Sequence, residues 1–241
     1  MATICELVRV HKRYGRRIVL DDYSLTVADG EMVAITGKSG AGKTTVLNLM
    51  GLLEKPDKGV VRVFGRPSPQ IGSRQASRLL RTRIGYLFQN YALVDEETVD
   101  ANLEVALMYA KKSKRERQRQ KETALAEVGL EIPLHSKVYE LSGGEQQRVA
   151  VARILLKPCD LILADEPTGS LDACNRDAIL EILKNLNRAG KTIVIATHDP
   201  HVVAACTRTV QLEYEKMTEN ASDGSMNYIG DVYESNCSKG P

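Results

Sequence analysis

The sequence predicts an α/β fold in which a parallel sheet carries a phosphate-binding loop. Residues 32–36 (MVAIT), 84–88 (IGYLF), 161–165 (LILAD) and 192–197 (TIVIAT) are short apolar runs of the kind that form strands buried on both faces. Segments with apolar residues at helical spacing lie between them. Residues 37–45 (GKSGAGKTT) follow the first run in the pattern Gly, four residues, Gly-Lys-Thr, and the next apolar residues, Val46, Leu47, Leu49, Met50 and Leu53, open a helix from Thr45 onward. Gly37, Gly40 and Gly42 let the backbone turn tightly and aim its N–H groups at phosphate oxygens. Lys43 reaches the β- and γ-phosphates, the Thr44 hydroxyl can ligand Mg²⁺, and Lys38, Ser39, Ala41 and Thr45 complete the cradle. A helix starting here adds roughly half a positive charge facing the anion.

A chain of 241 residues has ample core for stability without covalent staples. Its net charge of +2 gives no bulk electrostatic reason to expect nucleic acid as a partner. The five cysteines are scattered and lack a C-x-x-C pair, which reads as reduced thiols in a cytoplasmic protein. Residues 4–10 (ICELVRV) alternate like a strand and lack the continuous apolar region of a signal peptide. No apolar stretch approaches the ~18 residues a membrane span needs, so any membrane role is expected to come through a partner chain.

Taken in order, residues 4–10, 18–20 and 23–27 read as antiparallel strands separated by turns at 14–16 and 28–30. Tyr14, at the first turn, can lie over the adenine of a nucleotide held by the phosphate loop or simply pack. A short hairpin follows at 59–64, then a loop at 66–77. Gln89 ends the run at 84–88, where it can reach Mg²⁺ or an attacking water, or stand solvated. Beyond it the character turns helical. Val99, Leu103, Ala106 and Leu107 share one face, and residues 116–128 form a second helix ending at Gly129. The basic run at 111–121 (KKSKRERQRQK) reads as a solvated face or as a contact for anionic lipid headgroups.

Residues 141–145 (LSGGE) open another helix. Ser142 and Glu145 have the spacing of a capping box, while Gly143 and Gly144 leave backbone N–H groups and the Ser142 hydroxyl bare at a positive helix end, a second phosphate site. Either one chain brings this site to the first or two copies face each other. Residues 161–165 end in Asp165, followed by Glu166. Side chains alternate along a strand, so one acid can hold Mg²⁺ while the other polarises the attacking water, unless both are a solvated strand end. Ser170, Leu171 and Asp172 form a turn, a helix covers 176–187, and Gly190 stops it. The last buried strand, 192–197, is capped by His198; a lone His is more often structural, but one at the C-terminal end of a parallel strand faces the crevice where such sheets bind ligands. Beyond Leu212 the chain loses apolar periodicity, and residues 213–241 read as a disordered tail.

With Tyr14, GKSGAGKTT, Gln89, LSGGEQQR, LILADEP, Ser170-Leu171-Asp172 and His198 in this order, the chain resembles the ATP-binding subunit of an ABC transporter over residues 1 to about 212. The resemblance implies a P-loop NTPase core of RecA-like type, with antiparallel β parts at about 1–30 and 57–66 and an inserted helical subdomain at about 91–155. It also implies an ATP sandwich in which the phosphate loop of one copy faces Ser142, Gly143 and Gly144 of another. On that analogy Tyr14 stacks on adenine, Lys43 and Thr44 hold phosphates and Mg²⁺, and Gln89 and Asp165 complete the metal shell. Glu166 is the general base, His198 contacts the γ-phosphate, and Asp172 signals across the dimer.

LMGLLEKPDKGVV and LFQNYALVDEETVDANLEVAL are similar to the MacB and LolD branch, particularly to ATPases of lactococcin-type bacteriocin exporters. The branch often has a Pro after the Leu that follows Gln-Asn, where this chain runs Ala92-Leu93-Val94-Asp95. The expected role is an ATPase on the inner face of the cell membrane, driving a transmembrane permease to export a peptide, bacteriocin or lipoprotein-type cargo. The alternative is a cassette that signals through a membrane partner without moving cargo, as the cell-division type does. The soluble ABC ATPases of ribosomes or DNA carry two cassettes or a long coiled-coil insertion, neither of which is visible here.

Overall fold

The computed structural model describes residues 2–169 and 171–212, together with the backbone of Glu234–Ser235. Two sheets organise the chain. The first is antiparallel, with strands β1 (Thr3–Tyr14), β2 (Arg17–Ala28), β4 (Lys58–Val63) and β5 (Arg66–Pro67) in the order β2-β1-β4-β5. The second contains β3 (Met32–Gly37), β6 (Ile84–Leu87), β7 (Leu161–Asp165), β8 (Thr192–Ala196), β9 (Arg208–Leu212) and β10 (Glu234–Ser235) in the order β10-β9-β3-β8-β7-β6. Its strands β9, β3, β8, β7 and β6 are mutually parallel, so their C-terminal ends share one edge.

The central strands are apolar throughout because both faces are covered. Leu161 and Leu163 of β7 pack with Val33 and Ile35 of β3 against helix α1 (Lys43–Met50) and the antiparallel sheet. Ile162 and Ala164 point the other way. They pack against the face formed by α3 (Val99–Leu107), α4 (Lys114–Glu127), α5 (Gly143–Leu156), α6 (Ala173–Arg188) and α7 (Pro200–Ala205). By the same alternation Asp165 falls on the α1 side, towards the phosphate loop.

Several elements differ from the sequence expectation. The strands expected at 18–20 and 23–27 are one strand, β2, bent where Asp22 takes a left-handed φ of 46°, with Arg9 of the facing β1 at 47°. A bend with bulged pairing looks like a break when only alternation is read. Helix α1 starts two residues before Thr45 and stops at Met50, capped by Gly51, so Leu53 lies outside it. Within the stretch read as loop at 66–77, β5 pairs with β4, and α2 (Arg74–Thr82) begins at an N-cap, Ser73, whose side chain accepts from the Ala76 N–H. Ala76 of α2 is buried and Leu79 and Leu80 pack against the same core, a single short apolar stripe among arginines. The run at 192–197 is not the last strand of the sheet, since β9 follows it and pairs with the far side of β3. Most of the stretch read as a disordered tail lies outside the described residues; within it Glu234–Ser235 pair antiparallel with β9.

Candidate functional site

The phosphate loop joins β3 to α1 and is packed from beneath. Gly37, Gly40 and Gly42 have φ values of 149°, 76° and 102°. A Cβ at Gly37 would stand 2.6 Å from the Leu212 carbonyl oxygen, and one at Gly42 would stand 2.7 Å from Val19 Cγ1, so the loop tolerates no side chain at either place. Arg17, at the start of β2, donates to the Gly40 carbonyl at 2.6 Å. With that carbonyl drawn towards β2, the loop is fixed by a strand from the other sheet. Lys43 Nζ donates to the carbonyls of Gly37 at 2.9 Å and Lys38 at 3.3 Å, and no salt bridge to a carboxylate engages it among the described residues. An ammonium held on neutral carbonyls inside a ring of N–H groups is suited to an anion.

The parallel register brings three further residues to this edge. Asp165 is buried at the end of β7, opposite Ala196 of β8. Burial pushes its carboxyl above the ordinary carboxylate range, and the neighbouring Glu166 adds to this. The Thr44 hydroxyl bonded to Asp165 and the Lys43 charge oppose the rise. Glu166 follows with φ at 46°, a left-handed conformation that a Glu adopts only under local constraint. Its N–H donates to the Ala196 carbonyl at 2.9 Å, one carboxylate oxygen lies 2.8 Å from His198 Nδ1, and the other accepts from the Thr197 hydroxyl at 3.3 Å. An ionised carboxylate only accepts, which assigns the Nδ1 proton to the imidazole. The Glu166 side chain is 13% exposed and the His198 ring 74%, so the dyad is rooted in the fold and open outward.

Asp165→Asn follows directly as a test of the buried charge. A carboxyl raised by burial adds stability that is full below the ordinary carboxylate pKa and is lost as pH rises through the folded value, so at neutral pH its ionised form is a cost. The Asn variant is expected to melt about 2–4 °C higher without nucleotide at pH 7, an advantage that disappears in acid, and to lose Mg²⁺-dependent nucleotide binding. Thermal melts across pH and nucleotide titrations with and without Mg²⁺ read both effects.

Gln89 is exposed, two residues beyond β6, at the same edge. The backbone after it is irregular, with Tyr91 and Ala92 at φ values of 63° and 47°. Arg153 of α5 holds this stretch by donating to the Tyr91 carbonyl at 2.8 Å and the Ala92 carbonyl at 2.6 Å. Tyr14 is half exposed. Its hydroxyl donates to Glu54 and lies 3.4 Å from the Thr45 hydroxyl, and the Lys12 ammonium stands over the ring, 5.2 Å from its centre.

The second glycine pair is placed elsewhere. Ser142 caps α5 through a capping box with Glu145: its hydroxyl and its N–H both bond to the Glu145 carboxylate, at 2.7 and 2.8 Å. The Ser142 hydroxyl is therefore not bare, as the sequence reading had it, because Glu145 is within reach one turn on. That bonding, from the Ser142 hydroxyl first and its backbone second, lowers the Glu145 carboxyl pKa. The nearest neighbours of a Cβ on Gly143 or Gly144 would be Tyr91, Leu171 and Asn175, with no phosphate-loop atom among them. Asp172 caps α6 beside this turn and accepts from the Asn175 N–H at 2.9 Å and its side-chain amide at 2.7 Å. Ser170 lies outside the described residues.

Three residues at the site were not read from the sequence. Arg17 and Arg153 act through carbonyls 23 to 62 residues away, which no local pattern reports. Gln147 had a signal. It lies in the buried stripe of α5 with Ala150, Val151 and Ile154, and its side chain donates to the Pro167 carbonyl at 2.6 Å. It thereby ties the helix that starts at Ser142 to the turn that follows Glu166.

Among the described residues no group of three or more His, Cys, Asp or Glu is arranged to hold a metal ion. A metal at this edge would instead use hard oxygen donors, the Thr44 hydroxyl, the Asp165 carboxylate and the Gln89 amide oxygen, with phosphate oxygens completing the shell. That donor set suits Mg²⁺.

A parallel sheet with a phosphate loop after one strand and an acidic pair after another, flanked by an antiparallel sheet and a helical face, is a P-loop NTPase fold. The chain belongs to the ABC transporter family, whose profile matches residues 20–169. Relatives named macrolide export ATP-binding/permease protein MacB include one from Shewanella sp. (strain ANA-3), 43% identical over 195 residues, covering 81% of this chain and 30% of that protein. Another, from Escherichia coli, is 42% identical over 217 residues, covering 88% of this chain and 33% of that protein. The chain thus spans about a third of the length of these relatives, and their name is that of the branch the sequence resembles.

Solved structures agree. The ATP-binding cassette MJ0796, described as a dimer in a post-hydrolysis state bound to ADP and Pi, matches with a TM-score of 0.81 at 35% identity over 87% of this chain and 94% of that one. CbiO1 from Clostridium perfringens, part of the ABC transporter complex cbiONQ, matches with a TM-score of 0.76 at 27% identity, covering 88% of this chain and 86% of that one.

Proposed function

We propose that this chain is the ATP-hydrolysing subunit of an ABC transporter, in which two copies close on ATP and drive a transmembrane permease carried on another chain. The observation that carries this reading is the single sheet edge on which Lys43, the Thr44–Asp165 pair and the Glu166–His198 dyad converge, while the nearest neighbours of Gly143 and Gly144 include no phosphate-loop atom. One chain thus supplies a phosphate cradle, a metal position and a base, and a second chain supplies N–H donors for the far side of the γ-phosphate.

Within that reading the loop N–H groups and Lys43 bind the phosphates of ATP, and Tyr14 stacks on adenine. Thr44, Asp165 and Gln89 would hold Mg²⁺, which would supply positive charge to offset the negative charge developing on the phosphates. Glu166 accepts a proton from the attacking water, and His198, oriented by Glu166, contacts the γ-phosphate. Asp172, at the α6 cap beside Gly144, carries the state of one site to the other.

Among the described residues no helix is long and apolar enough to cross a membrane. The position proposed for the chain is peripheral, on the inner face of the cell membrane, through the permease. A cleft of about 1290 Å³ between the core and the helical face, lined by Phe88, Ala92, Val105, Met108, Tyr109 and Arg153, supports a docking partner next to the strand that leads to Gln89. The name of the MacB relatives supports export, and the resemblance to lactococcin-type ATPases supports a peptide or lipoprotein-type cargo. The purified chain is expected to hydrolyse ATP only with Mg²⁺ and to copurify from its native membranes with a polytopic membrane protein that, in vesicles, moves cargo at the expense of ATP. Hydrolysis coupled to no solute movement would instead assign the chain to signalling.

A further inference from the structure

The basic run at 111–121 holds seven basic residues and one acid in a chain whose net charge is only +2, and the fold sorts those residues into two groups. Arg117 and Lys121, one turn apart on α4, turn inward. Lys121 is buried and pairs with Asp100 at 2.7 Å and Glu104 at 2.5 Å, and Arg117 pairs with Glu104. Lys111, Lys112, Lys114, Arg115 and Arg119 are exposed and make no ion pair among the described residues. Were the run only a solvated helix face, its surroundings would be polar. Instead the end of α3 presents Val105 at 57%, Met108 at 56% and Tyr109 at 63% exposure immediately before it. Tyr109 lies under the Arg81 guanidinium, 4.4 Å from its ring centre, and shares the wall of the large cleft with Lys112 and Arg119.

Long basic side chains around an exposed tyrosine and methionine have the composition of a bilayer interface: the ring and the aliphatic stems enter the headgroup layer while the charges meet lipid phosphates. We propose that Lys111, Lys112, Lys114, Arg115 and Arg119, with Met108 and Tyr109 beside them, form a contact surface for the anionic headgroups of a membrane. Met108, Tyr109, Lys112 and Arg119 also line the large cleft, so the surface is continuous with its rim. It does not depend on the transporter reading, because the chain alone carries every group involved.

The test is sedimentation of the full chain, without nucleotide or permease, with vesicles of phosphatidylcholine alone or rich in phosphatidylglycerol. Binding is expected only to the anionic vesicles and to fall steeply with added salt. Each basic side chain at such a surface multiplies affinity roughly fivefold at low salt, so replacing all five by Ala should weaken binding on the order of a thousandfold. ATP hydrolysis and the melting temperature should stay those of the wild type, since these side chains touch neither the sheet edge nor the core. Equal binding to both vesicle types, or unchanged binding by the five-fold variant, would overturn the proposal and leave the ATPase reading untouched.

Discussion

Glu166→Gln is expected to slow ATP turnover by roughly 10²- to 10⁴-fold, the usual contribution of a positioned general base, while ATP binding persists. The substitution keeps the shape of the side chain and an oxygen for the Thr197 hydroxyl, which lies 3.3 Å from the present carboxylate. The phosphate loop, Lys43 and the Thr44–Asp165 pair are untouched, so the nucleotide still closes the site. What is lost is the acceptor for the water proton. The variant should therefore accumulate as an ATP-bound dimer that outlives that of the wild type. Single-turnover hydrolysis and light scattering of the eluted protein measure the two effects together. Undiminished hydrolysis would remove Glu166 from the role of base.

A mixture of two inactive variants is expected to regain activity. Lys43→Ala removes the ammonium at the centre of the phosphate loop, and Gly144→Glu places a carboxylate where N–H donors should face the γ-phosphate. Alone, each should hydrolyse ATP at least about a hundredfold more slowly than the wild type, because preorganised donors at a phosphoryl group contribute on this scale. In a mixed dimer one site collects both lesions, and the other combines the intact loop of the Gly144→Glu chain with the intact Ser142–Gly144 turn of the Lys43→Ala chain. With random pairing about a quarter of all sites are whole, so activity should return towards roughly that fraction. If each chain held a self-contained site, mixing would restore nothing. The result decides whether the distance between the two glycine clusters within one chain has the meaning assigned to it.

The parts of the site that were legible are those whose chemistry is local. The phosphate loop must be contiguous because neighbouring N–H groups cradle one anion, and it was read with its strand and its lysine. The Ser142–Glu145 capping box was legible for the same reason, since its partners are three residues apart. Its effect on the site, however, differed from the expectation: the Glu145 carboxylate occupies the Ser142 hydroxyl that had been read as bare. The buried strands were recognised from composition, but their order was not. β9 reached the sheet through pairing with β3, and its own alternation was too short to announce it.

By itself, then, the sequence determined the family, the phosphate loop and the two acids at the end of β7, because short contiguous patterns specify each of them. Only the tertiary structure decided how they are held. Arg17 secures the phosphate loop from the other sheet, Arg153 secures the backbone after Gln89, and Gln147 secures the turn after Glu166. Each is a side chain donating to a distant backbone carbonyl. Any polar residue at the right point in space can make such a bond, so linear order marks at most the donor, as at Gln147 in the buried stripe of α5, and packing alone selects the partner.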